Sequence, residues 1–68
     1  MRVVLNGEPR DLRDGSMASD AVEASGAQPD GRGVAVAVDG EVVPRGAWTS
    51  TELREGQQIE VLRAVQGG

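Results

Sequence analysis

The chain has 68 residues, a formal net charge of −4, and no cysteine, histidine, lysine, tyrosine or phenylalanine. This composition excludes disulfides, thiolate metal sites, and catalysis by histidine or by a lysine amine. The acidic balance disfavours nucleic acid and anionic membrane surfaces as partners. We therefore expect one small domain that is not an enzyme and holds no metal or cofactor.

The N-terminal segment predicts a β-hairpin. Residues 2–6 form an apolar strand, and Asn6-Gly7 is the strongest short hairpin signal because both residue types tolerate positive φ. A return strand is expected over residues 9–12. Pro9 places that strand at a sheet edge, since proline cannot donate a ladder hydrogen bond.

A helix is predicted over residues 16–25. Ser16 is a suitable N-cap, and Gly26 fits the position just beyond the helix, where φ is often positive. The residues expected on the inward face are Ala18, Ala21, Val22 and Ser25. Residues 27–32 are predicted to be a loop.

The second half of the chain predicts three more strands. Residues 33–38 alternate valine with a smaller residue, Asp39-Gly40 turns the chain, and residues 41–43 form a short partner strand. Residues 46–53 are expected to form a loop or a short 3₁₀ turn, and the last strand spans residues 58–65.

This order of elements predicts a two-layer α+β domain over residues 1–64, with one helix packed on one face of a mixed sheet of four to five strands. The first and last strands are expected to be central, parallel neighbours. The predicted core is Val3, Leu5, Leu12, Val22, Val34, Val36, Val38, Leu53, Ile59 and Val61, with Trp48 closing one end.

Residues 65–68 are predicted to form a flexible tail that ends in Gly67-Gly68. Without side chains these two glycines shield nothing around the terminal carboxylate. Fully extended, the four residues reach roughly 13 Å beyond the strand. The tail is therefore suited to entering a narrow channel in another protein and presenting its carboxylate there.

Two motifs carry a family resemblance that covers essentially the whole chain. The segment Val43-Pro44-Arg45-x-x-Trp48 and the Gly67-Gly68 end resemble the ThiS family of sulfur carriers in thiamine biosynthesis. That resemblance implies a ubiquitin-like β-grasp fold. It also implies that Gly68 bears the reactive carboxylate and that Gly67 gives access to it.

The resemblance further implies the partners. A ubiquitin-activating-type (ThiF-like) adenylating enzyme uses ATP to activate the Gly68 carboxylate, and a sulfur donor enzyme converts it to a thiocarboxylate. A ThiG-like thiazole synthase then consumes the sulfur. No apolar run approaches the roughly 20 residues of a membrane span and no signal-peptide pattern opens the chain, so a cytoplasmic location is expected.

Partner docking is predicted at Val4, Leu62, Ala64 and Arg45. Strand alternation that buries Val3 and Val61 turns Val4 and Leu62 to the opposite face. If the two strands are neighbours, Val4 and Leu62 are expected to lie close together, with Ala35 and Ala37 nearby.

Two alternatives stay open from the sequence. The first keeps the activated tail but serves another acceptor, in molybdopterin or cysteine synthesis. The second is a ubiquitin-like protein modifier or interaction module.

Overall fold

A five-stranded mixed sheet with one helix forms the domain. The structure is a computed structural model, and it describes residues 1–27 and 33–63. The elements in chain order are β1 (Arg2–Leu5), β2 (Glu8–Asp11), α1 (Ala18–Ala24), β3 (Val34–Val38), β4 (Glu41–Val43), a 3₁₀ turn (Arg45–Ala47) and β5 (Gln58–Arg63). The strand order is β2-β1-β5-β3-β4. The α+β architecture and the parallel pairing of the first and last strands are both confirmed.

Two tight turns build the flanking hairpins. Asn6 and Gly7 have φ values of 51° and 82°, and Asp39 and Gly40 have values of 50° and 83°. Two consecutive positive φ angles are typical of the type I′ turn, whose twist matches that of the strands it joins. The hairpin prediction is confirmed, and β2, which contains Pro9, lies at an edge of the sheet.

The helix begins two residues later than predicted. Its N-cap is Met17, whose backbone N–H donates to Asp20 Oδ2 at 2.7 Å. The Ser16 hydroxyl instead donates to the Arg13 carbonyl at 2.6 Å, and the Ser16 carbonyl accepts the Leu53 N–H at 2.8 Å. These contacts hold Ser16 in the preceding turn, so the prediction that it caps the helix was wrong.

The C-terminal end of the helix agrees with the sequence. Ser25 is the C-cap and Gly26 follows it with φ of 85°. The Arg10 guanidinium, reaching from β2, donates to the Ala24 carbonyl at 2.8 Å. A strand residue therefore satisfies one of the carbonyls that the helix end leaves unpaired.

The core lies between the helix and the sheet. Its buried apolar residues are Val3, Leu5, Ala18, Ala21, Val22, Ala27, Val36, Val38, Trp48, Leu53, Ile59 and Val61. Leu12 and Val34, predicted to be core, are only partly buried and pack against its margin. Ala27 is buried although it was assigned to a loop, of which residues 28–32 lie outside the described residues.

Small residues on the helix let it approach the sheet closely. Ala18 and Ala21 are fully buried, and Val22 is the largest buried side chain of the helix. A helix of seven residues is too short to be stable alone in water. Its packing on the sheet is therefore what holds it.

Candidate functional site

The strand that leads to the C-terminus is the middle strand of the sheet. On one side β5 pairs in parallel with β1, with Leu5 opposite Ile59. On the other side, β5 pairs antiparallel with every residue of β3, from Val38 opposite Ile59 to Val34 opposite Arg63. The chain is thus held in the sheet up to Arg63, five residues before Gly68.

Three of the predicted site residues lie beyond that point. Ala64, Gly67 and Gly68 fall outside the described residues, as does the whole predicted tail of residues 65–68. The domain boundary at residue 64 therefore stays a prediction.

The sheet face opposite the helix carries the other predicted docking residues. Ile59 and Val61 point into the core, so Leu62 points away from it and is 61% exposed. Val4 is half-buried between two buried residues of β1. The predicted alternation of both strands is confirmed.

Val4 and Leu62, however, are not side by side. Val4 lies opposite Gln58, whereas Leu62 lies opposite Ala35 on the other neighbouring strand. Along β5, Leu62 is offset by four positions from Gln58, the residue opposite Val4. At the rise of a strand this offset amounts to roughly 13 Å. The expectation of close contact was wrong because the Asn6-Gly7 turn ends β1 at Leu5, before it runs alongside Leu62.

The apolar neighbour that sequence reasoning missed is Val42. It is 74% exposed and lies opposite Ala37, on the same face as Leu62 and Ala35. We call Ala35, Ala37, Val42 and Leu62 the open-face patch. The two alanines form its shallow floor, and the exposed Glu60, opposite Ala37, borders it. The signal for Val42 is the register of the β3–β4 hairpin, which the Asp39-Gly40 turn fixes.

The Val-Pro-Arg-x-x-Trp segment builds a structural turn. Pro44 precedes the 3₁₀ turn, and its carbonyl accepts the Ala47 N–H at 2.8 Å. Trp48 is buried, and its indole Nε1 donates to the Val43 carbonyl at 2.9 Å. Arg45 is exposed at the start of the turn. Pro44 therefore shapes the turn, and Trp48 closes the core.

One ion pair joins β1 and β2 at the end of the hairpin remote from the Asn6-Gly7 turn. The Arg2 guanidinium contacts the Asp11 carboxylate at 3.1 Å and 3.2 Å, on adjacent strands where the two residues are register partners. The hydrogen bond and the charge of Arg2 lower the pKa of Asp11, and Asp11 correspondingly raises the pKa of Arg2. Both groups are exposed, so solvent screens the pair.

Residues 1–27 and 33–63 contain neither a metal-binding cluster nor a membrane-spanning helix. Within these ranges, acidic side chains do not gather in a group of three that could hold a metal ion. Nor is any helix there long and apolar enough to cross a membrane.

One helix across a mixed five-stranded sheet, with parallel first and last strands at its centre, defines a ubiquitin-like β-grasp domain. Its central strand precedes the residues Gly67 and Gly68 in the sequence. The chain belongs to the ThiS family, whose model matches residues 3–68.

Two solved structures of a relative agree with this assignment. The crystal structure of the thiamine biosynthesis protein ThiS from Geobacter metallireducens has a TM-score of 0.80 and 26% identity, with all of both chains covered. A solution structure of a thiamine biosynthesis protein from the same organism has a TM-score of 0.79 and 27% identity, covering all of this chain and 88% of the other. No curated protein sequence matched significantly.

Proposed function

We propose that this chain carries sulfur for thiazole formation in thiamine biosynthesis, as a thiocarboxylate on Gly68. The observation that carries the proposal is the family match over residues 3–68, which includes both terminal glycines. The position of β5 supports it, because the strand before the tail is held on both sides by neighbouring strands. A rigid base for a short arm favours accurate delivery of the arm's end.

The chemistry requires activation because a carboxylate is a poor electrophile. A terminal carboxyl group has a pKa of about 3.5 and is ionised near neutral pH. A carboxylate oxygen of Gly68 attacks the α-phosphorus of ATP, and pyrophosphate leaves. Sulfide released by the donor then attacks the carbonyl carbon, and AMP leaves with the electron pair of the broken C–O bond, so that Gly68 carries a thiocarboxylate.

The proposal divides the work between the carrier and its partners. The adenylating enzyme, which is ThiF-like, binds ATP and supplies the catalytic groups. The thiazole synthase, which is ThiG-like, accepts the sulfur. The carrier folds, docks and presents Gly68, while Gly67, which has no side chain, gives access to the Gly68 carboxylate. A cytoplasmic location, where ATP is abundant, is part of this proposal.

Docking is proposed on the sheet face opposite the helix. Leu62 is exposed there beside Ala35. It directly precedes Arg63, the last described residue before the tail. An exposed apolar patch with a charged border is a common interaction surface. Val4 on the same face, together with Arg45 and Ala64, extends the proposed contact region.

The test uses the cognate adenylating enzyme with the full chain and with a variant that lacks Gly68. Deletion moves the carboxylate back by roughly 3.5 Å. A misplacement of about 1 Å already costs a reaction up to about 10²-fold. We expect the truncated chain to lose ATP–pyrophosphate exchange and to keep the wild-type melting temperature, since terminal residues contribute little to stability.

The intact mass after addition of a sulfur source identifies the product. Replacement of one oxygen by sulfur, followed by transfer to thiazole synthase, supports the proposal. Wild-type exchange by the truncated chain would refute it. An adduct with lysines would indicate a protein modifier, and a thiocarboxylate that thiazole synthase does not consume would indicate another sulfur acceptor.

A further inference from the structure

The first residue of the β1–β2 turn bonds to the strand that carries the tail. Asn6 Oδ1 accepts the Val61 N–H at 2.8 Å, and Asn6 Nδ2 donates to the Val61 carbonyl at 3.3 Å. The Asn6 backbone N–H also donates to the Ile59 carbonyl at 2.8 Å. One side-chain amide thus pairs with both polar groups of a single strand residue, as a neighbouring strand would.

The first residue of the β3–β4 turn does the corresponding work at the other end of β5. Asp39 Oδ1 accepts the Gln58 N–H at 2.9 Å, and Asp39 Oδ2 accepts from Gln57 Nε2 at 3.3 Å. The Asp39 backbone N–H donates to the Gln58 carbonyl at 2.7 Å. We call the Asn6 and Asp39 contacts the two clasps of β5.

The chemistry of each clasp explains the residue that forms it. Asp39 faces two donors, and a carboxylate offers only acceptors. Asn6 faces one donor and one acceptor, and its amide offers both an oxygen acceptor and an N–H donor, which a carboxylate does not. Both residue types also tolerate the left-handed φ of the first turn position. The two turns therefore differ in residue according to what each side chain holds.

The Asn6 clasp acts where strand pairing with β1 ends. Leu5, the last residue of β1, lies opposite Ile59, and Val61 lies two residues further toward the C-terminus. The Asn6 amide extends that side of the sheet to Val61, seven residues before Gly68. The Asp39 clasp holds β5 at Gln58, the end remote from the tail.

We propose that Asn6 is a positioning residue, which fixes the end of β5 so that the tail leaves the domain in one direction. This role rests on the proposed function, because the tail is where the chemistry takes place. Without the clasp, the Val61 N–H and carbonyl lose these partners, and this part of β5 is held only by the pairing of the neighbouring residues Glu60 and Leu62 with β3. A smaller fraction of the docked carriers then holds the Gly68 carboxylate against ATP. The kcat for ATP–pyrophosphate exchange by the adenylating enzyme therefore falls.

The test compares Asn6→Gly with Asp39→Gly. Glycine keeps the left-handed turn conformation at both positions and removes only the side-chain contacts. Each variant loses one clasp of two side-chain hydrogen bonds, so the two changes are closely matched. They differ in which end of β5 they release.

The first readout is amide hydrogen exchange by NMR. Loss of one average hydrogen bond changes an opening equilibrium roughly five- to tenfold. We expect Asn6→Gly to accelerate exchange at Val61 by about that factor and to leave Gln58 unchanged. We expect the reverse pattern for Asp39→Gly. Unchanged protection of Val61 in Asn6→Gly would overturn the proposal.

The second readout is kcat for ATP–pyrophosphate exchange with the adenylating enzyme. We expect Asn6→Gly to lower kcat about tenfold, within the range that small misplacements cost, and Asp39→Gly to change it less than twofold. Equal kcat values for the two variants would overturn the positioning role.

A second variant guards against misfolding of the first. Asn6→Asp keeps the acceptor for the Val61 N–H but sets a carboxylate oxygen against the Val61 carbonyl. We therefore expect kcat to fall in this variant also. A wild-type kcat would contradict the proposal. An inactive wild-type chain would refute the proposed function and the positioning role with it. The exchange rates at Val61 would still show whether the clasp exists.

Discussion

Leu62→Asp separates docking from folding on the open-face patch. Leu62 is 61% exposed, so about two-fifths of its surface is covered. Full burial of a leucine side chain is worth about 2 kcal/mol, which puts less than ~1 kcal/mol of burial at stake. The low strand propensity of aspartate adds up to about 1 kcal/mol.

Together, the lost burial and the lower strand propensity predict a loss of about 1–2 kcal/mol in the free energy of unfolding of Leu62→Asp. For a domain of this size each 1 kcal/mol corresponds to roughly 4–8 °C in Tm. We therefore expect a folded variant with a moderately lower Tm. Val61→Asp, at a neighbouring position that is only 7% exposed, buries a carboxylate in the core and is expected not to fold.

Binding to the adenylating enzyme, measured by calorimetry, is expected to suffer far more. A carboxylate that loses water in an apolar contact costs at least ~2 kcal/mol, so Kd should rise by about 30-fold or more. Thr49→Asp adds the same charge at an exposed position outside the sheet and should leave Kd nearly unchanged.

Two results would refute this reasoning. If Leu62→Asp unfolds as Val61→Asp does, the leucine belongs to the core and the β5 alternation is misassigned. If its Kd equals that of the wild type, the open-face patch is not the docking surface. If Leu62→Asp does weaken binding, Val42→Asp shows whether the contact extends across Ala37 to β4.

Three further predictions concern stability. Trp48→Phe removes the hydrogen bond to the Val43 carbonyl and should cost about 1–3 kcal/mol in urea unfolding monitored by circular dichroism; an unchanged midpoint would contradict this. Ala21→Leu overfills the helix–sheet contact, where Ala21 is fully buried, and should cost about 1–3 kcal/mol, so a higher Tm would contradict close packing. The pKa of Asp11 is lowered by Arg2, so the pair stabilises the fold above the ordinary carboxyl pKa and this is lost as pH falls through the lowered pKa. Asp11→Asn should therefore lower Tm slightly at pH 7 and should not lower it once the pH lies below the lowered pKa; an equal loss at both pH values would exclude the pair as the cause.

Local chemistry in the sequence determined much of this protein. Asn6-Gly7 and Asp39-Gly40 specify type I′ turns because both residue types accept positive φ, and these turns set the register of both hairpins. Alternation assigned Leu62 to the outer face. The Gly67-Gly68 end and the segment around Trp48 were sufficient to indicate the family.

Other features depend on contacts between residues far apart in the chain. Ser16 has the chemistry of an N-cap, but its hydroxyl bonds to the nearby Arg13 carbonyl and its own carbonyl accepts the N–H of the distant Leu53, so Met17 takes that position. A short local pattern does not contain Leu53, which reaches Ser16 only when the chain has folded.

The register between β1 and β5 was likewise decided by the tertiary structure. No turn joins these two strands, so no local rule states that Leu5 lies opposite Ile59 and that Leu62 extends beyond β1. The same offset places Val61 within reach of the Asn6 side chain. Sequence determined the described strand ends to within about one residue and the face that each strand residue occupies. Packing of the helix and sheet decided how far one strand slides along another.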